Sequence, residues 1–199
     1  MNKTLKMLAG AVALLPGLAL ADISNYTFVQ GGYQNGQVSG LDVRGWGVRG
    51  SAAIHDRLYI QLSHINTDLN ETNPNLRFDA ESTSVGVGFI FDENATASVY
   101  GGVSYLKRKN TSRFTDESHL RSTHRVDGHE LELGVRIQLV TEAELRLAVS
   151  HADLGRGGEL TLPTAELVYK FLPNLAGVVN YTHKTNNDMI GLALRYYFD

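Results

Sequence analysis

The chain has 199 residues, with 18 Lys or Arg against 21 Asp or Glu and a formal net charge of −3. That balance excludes an overall electrostatic attraction to nucleic acid, and the length suits one domain once a leader is set aside. There is no cysteine, so disulfide frameworks, thiolate metal sites and a lipid-bearing N-terminal cysteine are excluded.

In chain order, Asn2, Lys3 and Lys6 precede an apolar run from Met7 to Leu20 that ends in Ala19-Leu20-Ala21. A positive head, a short apolar run and a small-x-small end read as a secretory signal peptide over residues 1–21, cleaved before Asp22. The run is too short for a spanning helix, and no later stretch approaches ~18 apolar residues. A membrane span made by residues 22–199 must then be a closed sheet.

Period-two alternation dominates those residues. Ten segments carry it, at about residues 25–34, 41–54, 58–66, 80–91, 95–106, 128–139, 143–152, 160–171, 175–183 and 189–198. In the last, Ile190, Leu192, Leu194, Tyr196 and Phe198 share one face, while Gly191, Ala193, Arg195 and Tyr197 share the other. Leu131 to Leu139 and Val85 to Phe91 show the same split. Tight turns at 55–57, 92–94, 140–142 and 172–174 alternate with longer polar connections, two of them long, at about 67–79 and 107–127. Short turns at one end and long loops at the other predict an all-β, up-and-down antiparallel transmembrane barrel of ten strands, with eight as the alternative. A soluble β-sandwich also alternates. However, its dry core could not hold the charges that share one face here.

Tyr26 to Tyr33, Gly45-Trp46-Gly47, Val85-Gly86-Val87-Gly88-Phe89 and Gly191 to Phe198 resemble the small outer-membrane β-barrel proteins. These include the OmpX-like and OmpA-transmembrane-domain-like barrels and porin-like short barrels. The resemblance covers residues 22–199 and implies export to the outer membrane of a Gram-negative cell. It also implies that Leu192, Leu194, Tyr196 and Phe198 form the signal read by the barrel-assembly machinery, although Asp199 follows the aromatic here.

The face opposite the apolar one predicts the lumen. It carries Arg49, Gln61, Glu130, Glu132, Arg136, Arg146, Glu166, Lys170 and Arg195, together with Gln30, Tyr59, Tyr100 and Asn180. Mixed signs predict ion pairs between neighbouring strands, forming either an internal network or the lining of a narrow channel. Barrels of about eight strands are just filled by side chains, which favours the network. Lys107, Arg108, Lys109, Arg113, Arg121 and Arg125 fall in the 107–127 connection, where they would meet lipopolysaccharide phosphates or another polyanion.

His64, His119, His124, His129, His151 and His183 map to the outer half without a trustworthy metal-ligand spacing. An omptin-like protease would need a longer chain. In a PagL-like lipid A deacylase, a serine lies two residues after the histidine, whereas His151 is followed there by Asp153. The expected protein is a non-enzymatic integral outer-membrane barrel with a structural, envelope-integrity or surface-interaction role. No cofactor and no metal are expected; the partners expected are membrane lipids and lipopolysaccharide. A narrow channel for small solutes and a barrel enzyme acting on lipid A or peptides are the alternatives.

Overall fold

The computed structural model describes residues 26–38, 41–70, 76–114, 121–184 and 187–198. The expected signal peptide, His119 and Asp199 lie outside the described residues. Ten strands occur among them: β1 (Phe28–Val38), β2 (Leu41–His55), β3 (Leu58–Asn70), β4 (Leu76–Glu93), β5 (Ala97–Phe114), β6 (Arg121–Val140), β7 (Ala143–Asp153), β8 (Glu159–Leu172), β9 (Leu175–Lys184) and β10 (Asn187–Tyr197). Each pairs antiparallel with its sequence neighbour, and β10 closes on β1 through Phe28↔Tyr197 to Gly36↔Met189. The sheet therefore has no free side edge, as a sheet in hydrocarbon requires.

The tight turns gather at the end that also holds Tyr26 and Phe198. One shows its local cause. Asn94 Oδ1 accepts from the backbone N–H groups of Thr96 at 2.9 Å and Ala97 at 3.0 Å, an Asx turn that carries β4 into β5.

The long loops expected at 67–79 and 107–127 are largely strand instead. β3 runs to Asn70 and β4 starts at Leu76; β5 runs to Phe114 and β6 starts at Arg121. The β5–β6 ladder continues from Lys107↔Asp127 to Arg113↔Arg121. Apolar periodicity cannot mark these stretches, because above a membrane neither face needs to be apolar. Charge pairs support them instead, Lys109 to Glu81 at 3.0 Å and Arg113 to Asp79 at 2.9 Å. β4, β5 and β6 have 18, 18 and 20 residues, whereas a tilted strand crosses a bilayer in about 9–11. The wall is high on this side and low at β9, β10 and β1, which have 10, 11 and 11 residues. Between the two, β8 pairs with β9 only from Thr164↔Thr182 downward. Pro163, which has no N–H to donate, stands where that pairing stops.

The outer surface is an apolar belt, with Leu131, Leu133, Ile190, Leu192 and Leu194 each more than half exposed. Such a belt is unfavourable in water and suits lipid chains. Phe89, Phe91, Tyr169, Phe171, Tyr196 and Phe198 border it at the turn end; Tyr33, Trp46, Tyr105 and Tyr181 border it at the other. These are the two aromatic girdles of a membrane barrel. Leu192, Leu194, Tyr196 and Phe198 share the outward face, and the Tyr196 and Phe198 rings pack edge to face at 5.0 Å.

Inside, glycines opposite large rings set the packing. A Cβ on Gly88 would stand 1.9 Å from Tyr59 Cζ, and one on Gly134 would stand 2.3 Å from the Tyr100 hydroxyl. Both tyrosines can lie flat across the lumen only because those positions lack a side chain.

Leu192→Arg puts a charge in the belt and is expected to cost about 2–4 kcal/mol. Ser82→Lys, on the inward face, should change stability by no more than about 0.5 kcal/mol. Urea titration in phosphatidylcholine vesicles, followed by the fluorescence of Trp46, the single tryptophan, distinguishes the two.

Candidate functional site

Halfway along the lumen, inward side chains from six strands converge on Glu166 of β8. Arg49 of β2 places Nη2 2.9 Å from Glu166 Oε2. Arg195 of β10 donates to Glu166 Oε1, and Arg146 of β7 lies 3.8 Å from Glu166 Oε2. Arg146 also donates at 2.8 Å to both carboxylate oxygens of Glu132 on β6 and, through Nε, to the Tyr100 hydroxyl of β5. Gln30 Oε1 of β1 accepts from Arg195 Nε at 2.9 Å and from Arg49 Nη2 at 3.3 Å. Arg195 is 0% and Glu166 2% exposed. Ions so far from water persist only when partnered, since an unpaired buried charge costs several kcal/mol. Aromatic faces supply further support: Arg195 stacks on Phe28 at 4.2 Å.

Below this layer the lumen is filled to the turn end. Tyr26, Tyr59, Ile90 and Tyr100 form one buried cluster; Phe28, Val168, Ala176, Val178 and Tyr197 form another. Arg136 stacks on Tyr26 at 3.9 Å, and Lys170 lies 4.7 Å from the Tyr197 ring centre. Above the layer lies a vestibule of about 430 Å³, with Gln30, Arg49, Glu132, Arg146 and Glu166 at its floor. Gln61 and Glu130 line it higher up, and Gln61 donates to Ser104 at 3.1 Å. Val43, Leu106, Leu154, Leu160, Leu162 and Met189 give it an apolar wall.

All nine lumen candidates lie on inward-facing positions, but only Arg49, Glu132, Arg146, Glu166 and Arg195 meet in one network. The expected pairing between neighbouring strands is corrected in part. Glu132–Arg146 does join neighbours, whereas Arg49–Glu166 crosses the lumen and Arg195–Glu166 skips a strand. The register explains this, because it sets Arg136 opposite Arg146, like beside like, and Arg136 turns to aromatic rings instead.

The six basic residues expected on one loop are split by strand alternation. Arg108 faces the vestibule. Lys107, Lys109 and Arg113 face outward on β5, and Arg125 faces outward on β6. Lys109 and Arg113 are engaged by Glu81 and Asp79. Lys107 lies 5.6 Å from the Tyr105 ring centre, and Arg125 is exposed. Arg121 lies at the first position of β6.

The histidines make separate local contacts: His64 with Thr83, His151 with Thr161, and His183 with Asp188 at 2.6 Å. No cluster of metal-ligating side chains occurs among the described residues. Sequence reasoning missed Glu144, buried and inward on β7, although it sits two residues from Arg146 on the same face. It also missed the apolar vestibule wall, because an inward face was expected to be polar throughout.

No family model and no curated protein sequence matches the chain. Solved structures with this kind of fold do. The attachment invasion locus protein Ail of Yersinia pestis is 13% identical, with a TM-score of 0.47, covering 86% of this chain and 97% of that one. Neisserial surface protein A is 13% identical, with a TM-score of 0.48, covering 89% and 100%. The outer membrane protein OprG of Pseudomonas aeruginosa is 12% identical, with a TM-score of 0.48, covering 89% and 99%.

Glu166→Gln leaves the guanidinium cluster without its central anion and is expected to destabilise the barrel by about 3–5 kcal/mol. Glu130→Gln, which removes no ion pair, should change stability by less than about 1 kcal/mol in either direction. The shift of the urea midpoint in vesicles measures both.

Proposed function

We propose that the chain is an integral outer-membrane protein whose barrel is sealed, and that it acts through its outer surface in envelope integrity and surface interaction. The observation that carries this is the stack of two filled layers, the Glu166 network and the aromatic clusters beneath it. Together they occupy the lumen between the vestibule floor and the turn end. The apolar belt with its girdles, and a start that reads as a secretory leader, support an outer-membrane location.

The wall formed by β4, β5 and β6 above the outer girdle is the surface that meets lipopolysaccharide. Lys107 and Arg125, which make no ion pair with a carboxylate among the described residues, are the groups that would hold its phosphates. Lys109 and Arg113 are already neutralised by Glu81 and Asp79.

Planar-bilayer recordings of the refolded protein test the sealed barrel. The expected trace has no steady conductance steps, and reproducible charge-selective steps would replace this reading with the narrow channel. For the surface, Lys107→Gln with Arg125→Gln should weaken binding to lipopolysaccharide micelles about thirtyfold at low salt. This follows from ~1 kcal/mol for each basic side chain near an anionic surface. Lys109→Gln with Arg113→Gln should weaken it much less, and added salt should erase the difference.

A further inference from the structure

The vestibule above the Glu166 network has a composition that sealing does not need. A plug requires its charges to be partnered and its layers filled, yet here about 430 Å³ stays open above the plug. Val43, Leu106, Leu154, Leu160, Leu162 and Met189 surround that space. Ser63, Ser82, Ser84, Thr164, Asn180 and Thr182 interrupt that apolar wall, and a concavity of this size that joins apolar surface to polar side chains is a usual form of a small-molecule site.

One polar group stands out. Glu130 lines the vestibule and makes no hydrogen bond or ion pair among the described residues, whereas Glu132, two residues lower on the same face, is held by Arg146. Its cross-strand neighbours are Ser104 on β5 and Ala152 on β7, and neither can neutralise a carboxylate. Ser104 is moreover taken up by Gln61. The nearest carboxylate on its own strand is Glu132, whose charge Arg146 balances, so Glu130 is left as the vestibule carboxylate with no cation paired to it. Arg108, the vestibule cation on β5, directs Nε to Asn110, two residues nearer the rim. Its ladder partner is Val126, four residues nearer the rim on β6 than Glu130.

We propose that the vestibule binds a small organic cation with an apolar body, its ammonium or guanidinium group held by Glu130 and its hydrocarbon against Leu106, Leu160, Leu162 and Met189. The same molecule carrying a carboxylate meets Glu130 as a like charge, and the floor arginines it could pair with are already held by Glu132 and Glu166. A neutral analogue gains the wall contacts and loses the charge-assisted hydrogen bond.

Met189 supplies the measurement. It is the single methionine among the described residues and lines the vestibule. The full chain, labelled with ¹³C at the methionine methyls and refolded into phosphatidylcholine nanodiscs, is titrated with n-hexylammonium, 1-hexanol and hexanoate, with empty discs correcting for partition. The expected result is a saturable shift of the Met189 methyl with n-hexylammonium. Hexanol and hexanoate should bind at least about tenfold more weakly, and Glu130→Gln should remove that preference, as loss of a hydrogen bond to a charged group predicts. Leu162→Ser should weaken all three ligands together while leaving their order intact. It serves as the second variant should Glu130→Gln fail to give the heat-modifiable gel mobility of a folded barrel. Absence of a saturable shift, or equal affinity for the amine and the alcohol in the unmodified chain, overturns the proposal.

Discussion

A sheet closed in hydrocarbon turns its polar side chains inward, and the lumen must then neutralise them in a space that water barely enters. Here that requirement falls on Glu166. Its two oxygens face guanidinium groups from β2, β7 and β10, strands that are not all neighbours of β8. The contacts therefore act as struts across the barrel rather than as clips along its wall. Backbone ladders hold adjacent strands together but do little to fix the cross-section, and the struts supply that constraint. Gln30 ties Arg49 and Arg195 to the same centre from β1, so the seam where β10 closes on β1 is braced from inside.

The struts also divide the lumen into two halves of unlike chemistry. On the turn side, rings stack under cations, and glycines at 88 and 134 give the tyrosines their room. On the other side, small and aliphatic residues leave space. The division follows the height of the wall. Where β4, β5 and β6 rise beyond the bilayer, inward positions no longer face a closed barrel and need not fill it. Leu154, buried beside the Gly155–Gly157 turn between β7 and β8, packs in from above.

Much of this architecture was legible from alternation alone. Strand faces, the ten-strand count and the tight turns all follow from side chains of period two and from Asn, Asp and Pro at the connections. Inward placement of Arg49, Glu132, Arg146, Glu166 and Arg195 followed from the same parity. Which of them meet did not. Partners across a lumen depend on strand stagger, which no local pattern encodes, so Arg49 and Glu166, 117 residues apart, carry no joint signal. The extensions of β4, β5 and β6 were missed for a different reason. Their support is charge pairing on a solvated sheet, and a run such as Lys107-Arg108-Lys109 has the composition of a loop until its register against Glu81 is known. The leucines at 160 and 162 were hidden by the assumption that every inward position is polar, whereas Glu144 fits that parity and was passed over beside Arg146.

That last point bears on what the vestibule is for. In a barrel built only to be stable, a half-buried inward leucine such as Leu106, Leu160 or Leu162 gains only part of its burial, because the area facing the open space has not left water. Burial contributes about 25 cal/mol per Å² only when the area leaves water. The apolar wall above Glu166 thus forgoes stabilisation that closer packing would bring, while Glu130 keeps a carboxylate with no partner where Gln or Ser would be less costly. Two departures from the stable solution, a few residues apart and facing the same volume, have one common remedy: a molecule that is apolar along its length and positive at one end.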